Sequence, residues 1–253
     1  MFNPFNHPFL ILVGSFFVFW LVALFGRSYG KRKVTPEQGG HQEFLFVLGG
    51  TLTLLGLIIG FAFSMAVGRY DQRKNYEEQE ANAIGTEYVR ADLLPAADAA
   101  KVRTLLKRYL DQRILQYRTR NMQELRQFDV QITQLQTEMW SAVASPGTGQ
   151  LSPVTALAVS GMNDVLNSQG YTQAAWWNRI PMGAWALMWL ISIFCNLLVG
   201  FGAVGKRASI LLILPIAFSV SLFLVADIDS PRSGLIRVHP QNLESLAESL
   251  HPQ

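Results

Sequence analysis

Four stretches of the chain carry no charged residue, and each is long enough to cross a bilayer. They cover residues 8–26, 44–68, 180–205 and 208–226, and a charged side chain follows each one. A spanning helix needs about 20 apolar residues, and a charge at its centre costs roughly 2.5 to 3.5 kcal/mol. The pattern therefore predicts four transmembrane helices. The first, which lacks a basic start and a cleavage site, is predicted to be a retained span rather than a signal peptide.

Between the second and third spans lies a polar insert in which basic and acidic residues are mixed. No proline and a single glycine, Gly85, follow the second span before Pro95, so that helix is predicted to continue until Pro95 interrupts it. The chain thus divides into residues 1–68 with two spans, the insert 69–179, residues 180–226 with two more spans, and a polar tail 227–253. The predicted fold class is all-α, a polytopic membrane protein with a helical polar insert.

Apolar residues recur at helical spacing within the insert. One face, which also carries Arg113, comprises Val102, Leu106, Tyr109, Leu110, Arg113 and Tyr117. A second set at 3-4-3-4 spacing, which we call the seam, comprises Leu125, Phe128, Ile132, Leu135 and Met139. Turn residues predict a loop at 145–149, and a shorter helix is expected from Pro153 to Asn167, ending near Gly170. The tail should contain a turn at 229–234 and a short amphipathic segment at 243–250.

The composition supports a membrane protein and argues against several kinds of functional site. Half of the residues are apolar and only 15% are charged. The single cysteine, Cys195, excludes a disulfide within the chain, and the histidines have no metal-ligand spacing. The net charge of +3 is not gathered into a nucleic-acid patch. No catalytic motif is present, so we predict neither an enzyme nor a cofactor.

The orientation in the membrane is not decided by charge. An external insert would place Arg27, Lys31, Arg32, Lys33, Lys206 and Arg207 in the cytoplasm. An internal insert would place an equal number of near-membrane basic residues there, at 69, 73, 74, 179, 232 and 237. The basic residues are most closely spaced in the short loop from Arg27 to Lys33, which slightly favours an external insert. Trp176 and Trp177 fit either an interfacial belt or packing against the insert.

The second span is the best candidate for a pore-facing helix because it combines glycines with small polar residues. Its candidate pore-lining residues are Leu57, Ile58, Phe61, Ser64 and Met65. Bulky apolar side chains in such a set form a constriction that conducts when it is wetted. The segment from Gly56 to Gly60 also matches the GxxxG motif, so close helix packing explains the same glycines.

Charged residues cluster directly after this span. Arg69, Arg73 and Lys74 are candidates for a positive pore mouth that concentrates anions. Opposite charges at helical spacing, such as Glu80 with Arg73 or Lys74, equally fit solvated ion pairs. Further candidates for structural motifs are Glu80, Asn82, Arg90, Asp92, Asp227, Asp229 and Arg232. For the two aspartates of the tail, partnering Arg232 or capping a turn is favoured over cation binding.

Three segments carry a family resemblance. They read LLGLIIGFAFSMAVGRYDQRKNYEEQEANAIGTEYVRADLLP from Leu54, LLKRYLDQRI from Leu105, and ADIDSPRSGLIRV from Ala226. The chain resembles a mainly bacterial membrane family described as bestrophin-like, and more distantly the bestrophins, which are pentameric anion channels. Where bestrophins carry a tryptophan pair, this chain has Tyr70 and Asp71. The resemblance implies a homo-oligomer with a pore neck lined by the second span, and cytoplasmic termini and insert.

Two functions from different classes follow. The first is an oligomeric anion channel in the bacterial inner membrane, with the lipid bilayer, further copies of the chain and small inorganic anions as its partners. The second is a non-conducting membrane scaffold whose insert recruits a soluble protein through the seam. The position of the seam separates them, because a buried seam favours a channel body and an exposed seam favours a docking surface. An enzyme would require Glu80, Asp92, Asp227 and Asp229 to converge on one cavity.

Overall fold

The structure, a computed structural model, describes residues 7–33, 40–147, 153–203 and 209–250. Lys206 and Arg207, which entered the orientation argument, lie outside the described residues. The helices are α1 (Pro8–Lys33), α2 (Gly40–Arg90), α3 (Ala96–Arg118), α4 (Met122–Gly147), α5 (Pro153–Trp177), α6 (Met182–Gly202), α7 (Ile210–Asp229) and α8 (Gln241–Leu250). A 3₁₀ turn covers Ala91–Leu93. The described residues contain no strand, so the all-α prediction is confirmed.

Four helical stretches are long and apolar enough to cross a membrane, as the sequence predicted. They lie within Pro8–Arg32, Gln42–Leu93, Pro153–Gly202 and Leu211–Asp229. The second belongs to the 51-residue helix α2, of which only the charge-free segment 44–68 fits the length of a bilayer core. The protein is therefore a multi-pass membrane protein by fold and composition.

Helix α2 ends close to where the sequence predicted. Its last residue is Arg90, the 3₁₀ turn follows, and Leu94 is extended with φ −94° and ψ 161°. The ring of a proline disfavours the helical conformation of the residue before it, so Pro95 enforces this break. Pro95 then stands at the N-cap position of α3.

The chain forms two compact units. The first, which we call the apolar unit, comprises residues 1–70 and 179–237, and the second, the polar unit, comprises residues 71–178 and 238–253. In the apolar unit, α1 packs along α6 and α7. Helices α1 and α6 approach closely, since a Cβ built on Gly200 would overlap the carbonyl oxygen of Ala23 and one on Gly26 would overlap that of Leu197. Small residues at such crossings are typical of membrane helix packing.

In the polar unit, a single apolar core joins α3, α4, α5, α8 and the part of α2 that belongs to this unit. All six residues of the α3 face predicted from the sequence are buried. Helix α4 begins after Asn121, whose side-chain oxygen accepts a hydrogen bond of 2.9 Å from the backbone N–H of Gln123, a common way to cap a helix. The seam of α4 is also turned inward: Leu125, Ile132, Leu135 and Met139 are buried, and Phe128 is half-buried.

Two boundaries predicted from turn residues were wrong. The predicted loop at 145–149 begins too early, because α4 remains helical through Gly147; residues 148 and 149 lie outside the described part of the chain. Helix α5 does not end near Gly170 but continues to Trp177. The last two turns of α5 bury Thr172, Ala175 and Trp176. Their burial outweighs the roughly 1 kcal/mol that a glycine costs inside a helix.

Candidate functional site

The apolar segment of α2 is almost uncovered within the chain. Of residues 44–68, all of which are described, only Leu55, Ala62 and Ala66 are buried. They recur at helical spacing and form one narrow stripe. Leu55 packs in a cluster with Ile191 and Cys195 of α6. The other residues of this segment are exposed or half-buried, so most of its surface is open to lipid or to another chain.

The glycines of this segment lie on the side away from the buried stripe. At about 100° per residue, Gly49, Gly50, Gly56, Gly60 and Gly68 fall within one half of the helix. A Cβ built on any of them would meet nothing within 4 Å. Packing inside the chain therefore does not account for these glycines, so the GxxxG motif is free to serve a contact with another molecule.

The candidate pore-lining residues divide between the two sides of α2. Leu57, Phe61 and Met65 are 54%, 63% and 41% exposed, and Ser64 is exposed as well. Ile58 is half-buried and packs against clusters within the apolar unit. Four of the five candidates thus share the uncovered surface with the glycines.

The three basic residues proposed for a pore mouth have different surroundings. Arg69 is half-buried, and Lys74 is exposed. Arg73 is 2% exposed, and its Nε donates a hydrogen bond of 3.3 Å to the carbonyl oxygen of Ala175 on α5. The guanidinium of Arg73 therefore holds α2 and α5 together inside the polar unit. Lys74 is the one of the three whose charge is most open to solvent.

A fully buried ion pair lies at the centre of the polar unit. The side chains of Glu80 on α2 and Arg113 on α3 are both 0% exposed. Arg113 donates from Nε to Glu80 and from Nη2 to Glu80 Oε2, the latter over 2.9 Å, and it also donates to Gln116. Thr172 of α5 donates to the same carboxylate over 3.3 Å. A buried ion pair is tolerated only when its polar atoms are satisfied in this way.

Aromatic rings complete the surroundings of Arg113. Its Cζ lies 5.5 Å from the ring centre of Tyr117 and 5.8 Å from that of Trp176. Burial raises the pKa of Tyr117 and of Tyr109, and the charge of Glu80 raises both further. Burial lowers the pKa of Arg113, but the Glu80 carboxylate and the neighbouring Tyr109 and Tyr117 together raise it by more, so the net direction is upward. Arg113 is therefore permanently charged. Its contacts with Glu80, Tyr117 and Trp176 hold helices together and do not supply a proton donor.

The expectation that Glu80 forms a solvated pair with Arg73 or Lys74 was wrong. Glu80 reaches across to Arg113, 33 residues further on, instead of around its own helix. The sequence did contain one signal, because Arg113 interrupts an otherwise apolar helical face. A buried arginine requires a carboxylate partner, but helical spacing alone did not identify which one.

Glu77 fastens the C-terminal helix to α2 and was missed in the sequence. Its Oε1 accepts hydrogen bonds from the backbone N–H groups of Asn242 and Leu243, over 2.9 and 3.0 Å. Its Oε2 accepts one of 2.6 Å from the side chain of Asn242. These N–H groups belong to the first turn of α8, where unpaired donors and the helix dipole favour a carboxylate. Leu246, which lies one turn after Asn242 in α8, packs close to Gly85 of α2.

Glu87 is a further buried carboxyl, and it has no hydrogen-bond partner among the described residues. It is 0% exposed, and neither of its oxygens is bonded. It packs directly on Gly161 of α5, where a Cβ would overlap its Oε2. Burial raises its pKa to about 8, with Arg90 lowering and Asp164 raising it by smaller amounts. Glu87 lies in the polar unit, nineteen residues after the end of the charge-free segment.

The remaining candidates after the second span have separate partners. Arg90 approaches Asp164 of α5 at 4.0 Å, and Asp92 pairs with Arg103 of α3. Asn82 is exposed. Trp176 is buried and meets Tyr117 edge to face at 5.1 Å, so packing against the insert is its role, whereas Trp177 is 75% exposed.

The two aspartates of the tail hold the backbone of the apolar unit. Asp227 accepts hydrogen bonds from the backbone N–H groups of Leu235 and Ile236, over 2.7 and 2.8 Å. Asp229 accepts one of 3.1 Å from the N–H of Ile180, just before α6. Gly234 is required at this turn, since a Cβ there would overlap the carbonyl oxygen of Asp227. Arg232, which follows both aspartates in the sequence, is half-buried.

The acidic candidates do not converge on one catalytic or metal site. Glu80, Asp92, Asp227 and Asp229 each bind a different partner. Among the described residues there is no cluster of three or more histidine, cysteine, aspartate or glutamate side chains placed to hold a metal.

The comparisons with known proteins agree with this architecture. A family model of the Bestrophin-like domain matches residues 9–243, so the chain belongs to the Bestrophin-like family. No curated protein matches the sequence. A crystal structure of a bacterial bestrophin homologue from Klebsiella pneumoniae is similar at a TM-score of 0.66 and 14% identity, over 96% of this chain and 99% of that one. A single-substitution variant of that homologue gives a TM-score of 0.65 at 14% identity, over 94% and 97%. At such identities the likeness shows the fold.

Proposed function

We propose that this chain is one subunit of an oligomeric anion channel of the bacterial inner membrane, with α2 lining the pore. The observation that carries the proposal is the uncovered surface of α2, a spanning segment with three buried residues among 25. Membership of the Bestrophin-like family supports a channel rather than an enzyme. Termini and polar unit are placed in the cytoplasm on the strength of the bestrophin resemblance.

The uncovered side of α2 has the chemistry of a narrow pore. Leu57, Phe61 and Met65 supply an apolar constriction, and Ser64 supplies a hydroxyl among them. Glycines on the same half of the helix allow neighbouring copies to approach closely. A constriction of this type conducts when water fills it and closes when it dries.

The buried seam argues against the scaffold alternative. A docking surface for a soluble protein requires the seam to be exposed, but Ile132, Leu135 and Met139 form part of the core of the polar unit. No specific observation therefore favours recruitment through this helix.

The test is ion flux from the purified full-length protein in liposomes, with chloride, nitrate and sodium gradients and empty vesicles as the control. We expect flux that is selective for anions. Phe61→Ala should raise the flux several-fold by widening the constriction, and the matched Phe63→Ala, on the same helix but about 200° away, should change it much less. Absence of flux in the parent and in Phe61→Ala would overturn the proposal.

The pore-mouth charge is tested separately. Lys74→Glu should reduce the preference for anions, because it reverses an exposed charge of the candidate mouth. Lys101→Glu, at an exposed position of α3, makes the same change of charge elsewhere. Arg73 is a poor choice for this test because its substitution removes a buried contact. Equal selectivity of the two lysine variants would show that Lys74 does not border the ion path.

A further inference from the structure

The apolar unit contains a cavity walled by aromatic and aliphatic side chains. Its volume is about 420 Å³, and all of the described residues that line it belong to spanning helices. Besides Gly26 the lining consists of Phe25 and Tyr29 of α1, Phe44 of α2, and Leu197, Leu198 and Phe201 of α6. The ring of Phe201 lies 5.9 Å from that of Phe44 and 6.5 Å from that of Tyr29.

The cavity lies where three helices end or begin. It is lined by residues from the last turns of α1 and α6 and from the first turns of α2, so it lies at one end of the spans. Because Gly26 contacts the backbone of Leu197, α1 and α6 are fixed against each other here and the cavity is preformed. Preformed apolar cavities of this size are typical of small-molecule sites.

A basic side chain stands on the cavity face of α1. Phe25, Tyr29 and Arg32 are spaced by four and three residues, so they share one face of the helix, with Arg32 nearest its end. Arg32 is exposed and forms no ion pair with any described residue. An arginine at the end of a spanning helix can place its charged group in the polar layer while its stem covers apolar surface.

We infer that this cavity binds an anionic phospholipid of the surrounding bilayer, with an acyl chain among the aromatic rings and the phosphate at Arg32. The combination is what a lipid requires, since an apolar cavity alone would accept any hydrocarbon and a basic residue alone any anion. Basic pockets between spanning helices are a known form of anionic headgroup recognition. The inference depends only on the apolar unit and holds whether or not the protein conducts ions.

The experiment is native mass spectrometry of the full-length protein in detergent, incubated with dioleoyl phosphatidylglycerol or dioleoyl phosphatidylcholine. The two lipids share their acyl chains and differ in headgroup charge. We expect several-fold greater retention of phosphatidylglycerol. Arg32→Ala should remove that preference. Lys31→Ala is the matched control, because it removes the same charge one residue earlier, about 100° around the helix and away from the cavity face.

A second variant tests the cavity itself. Leu198→Trp fills the space and should lower retention of both lipids, whereas Leu190→Trp, at an exposed position of the same helix, should not. Equal retention of the two lipids by the parent, or an equal loss of preference in Arg32→Ala and Lys31→Ala, would overturn the headgroup assignment. Retention unchanged by Leu198→Trp would overturn the cavity assignment, and these results do not depend on ion flux.

Discussion

The two units of the chain use opposite means of holding helices together. In the apolar unit, helices meet through glycine and backbone: Gly200 lies on the backbone of Ala23, and Gly26 lies on that of Leu197. In the polar unit, helices share an apolar core and also meet through charge: Arg73, Glu77, Glu80 and Arg113 are buried within it. The apolar unit instead leaves large hydrophobic residues such as Phe25, Phe46 and Phe61 exposed.

The difference follows from the solvent of each unit. A helix in lipid gains nothing by moving its apolar side chains from hydrocarbon to a protein interior, so close van der Waals contact becomes the main attraction. A helix in water buries apolar area, which offsets the cost of burying a few charged groups when each meets a partner. Glu87, which has no hydrogen-bond partner among the described residues, instead has a raised pKa. The buried carboxylates of the apolar unit, Asp227 and Asp229, accept hydrogen bonds from backbone N–H groups at a turn and just before a helix, and the carboxylate of Asp229 also interacts electrostatically with Arg179.

The strongest way to break this contrast is to remove the arginine of the central pair. Arg113→Met leaves the Glu80 carboxyl without its main partner at 0% exposure, and we expect a loss of about 3 to 5 kcal/mol in the stability of the polar unit. Thermal unfolding in detergent, followed by tryptophan fluorescence, measures it, since Trp176 lies beside Arg113.

The control for this variant is Arg118→Met in the same helix. Arg118 pairs with Glu244 of α8 at 2.8 Å, but its side chain is 62% exposed, so the loss should be about 0 to 1 kcal/mol. A double variant, Glu80→Leu with Arg113→Met, should be less damaging than Arg113→Met alone because no charge is left unpaired. Similar losses in Arg113→Met and Arg118→Met would contradict the central role of the buried pair.

Much of the fold could be predicted from the sequence, because the thickness of a bilayer limits where charges can occur. The four spans, the continuation of α2 and the inward face of α3 all follow from charge-free length and helical period. Predictions from turn residues were less successful. The glycine at 170 did not end α5, because the packing of Trp176 decides that boundary and the sequence alone does not reveal it.

The site was less predictable, since its contacts join residues far apart in the chain. Glu77 meets Asn242, and Glu80 meets Arg113, and no local spacing identifies either pair. The sequence shows how the glycines are distributed along α2. It does not show whether other helices of the same chain cover them. Only the structure shows that the space beside Gly56 and Gly60 is open.

A pH titration tests how the buried Glu87 carboxyl affects the stability of the polar unit. Its pKa rises from 4.5 in an ordinary setting to about 8 in the fold, so the folded chain holds this proton over a range in which the unfolded chain has lost it. Stability should therefore fall as pH rises from about 4.5 to about 8, by up to roughly 1.4 kcal/mol per pH unit, and then level off. Thermal unfolding in detergent at a series of pH values measures the slope.

Glu87→Gln should flatten this part of the profile and make the chain more stable than the parent above pH 8, because a neutral amide replaces the buried carboxylate. Glu78→Gln, at an exposed position of the same helix, should leave the slope unchanged. A slope that Glu87→Gln leaves unchanged would show that the Glu87 carboxyl does not cause it.

The smallest expected effect compares two glycines of the apolar unit. Gly200→Ala places a methyl group against the backbone of Ala23, which cannot move without shifting α1, so we expect a loss of about 1 to 3 kcal/mol. Gly56→Ala has open space within the chain and replaces a poor helix former, so the monomer should be unaffected or slightly stabilised. Thermal unfolding in detergent under dissociating conditions compares the two variants. If Gly56→Ala lowered the stability of the monomer as much as Gly200→Ala, α2 would be packed within its own chain, and the uncovered surface on which the channel proposal rests would not exist.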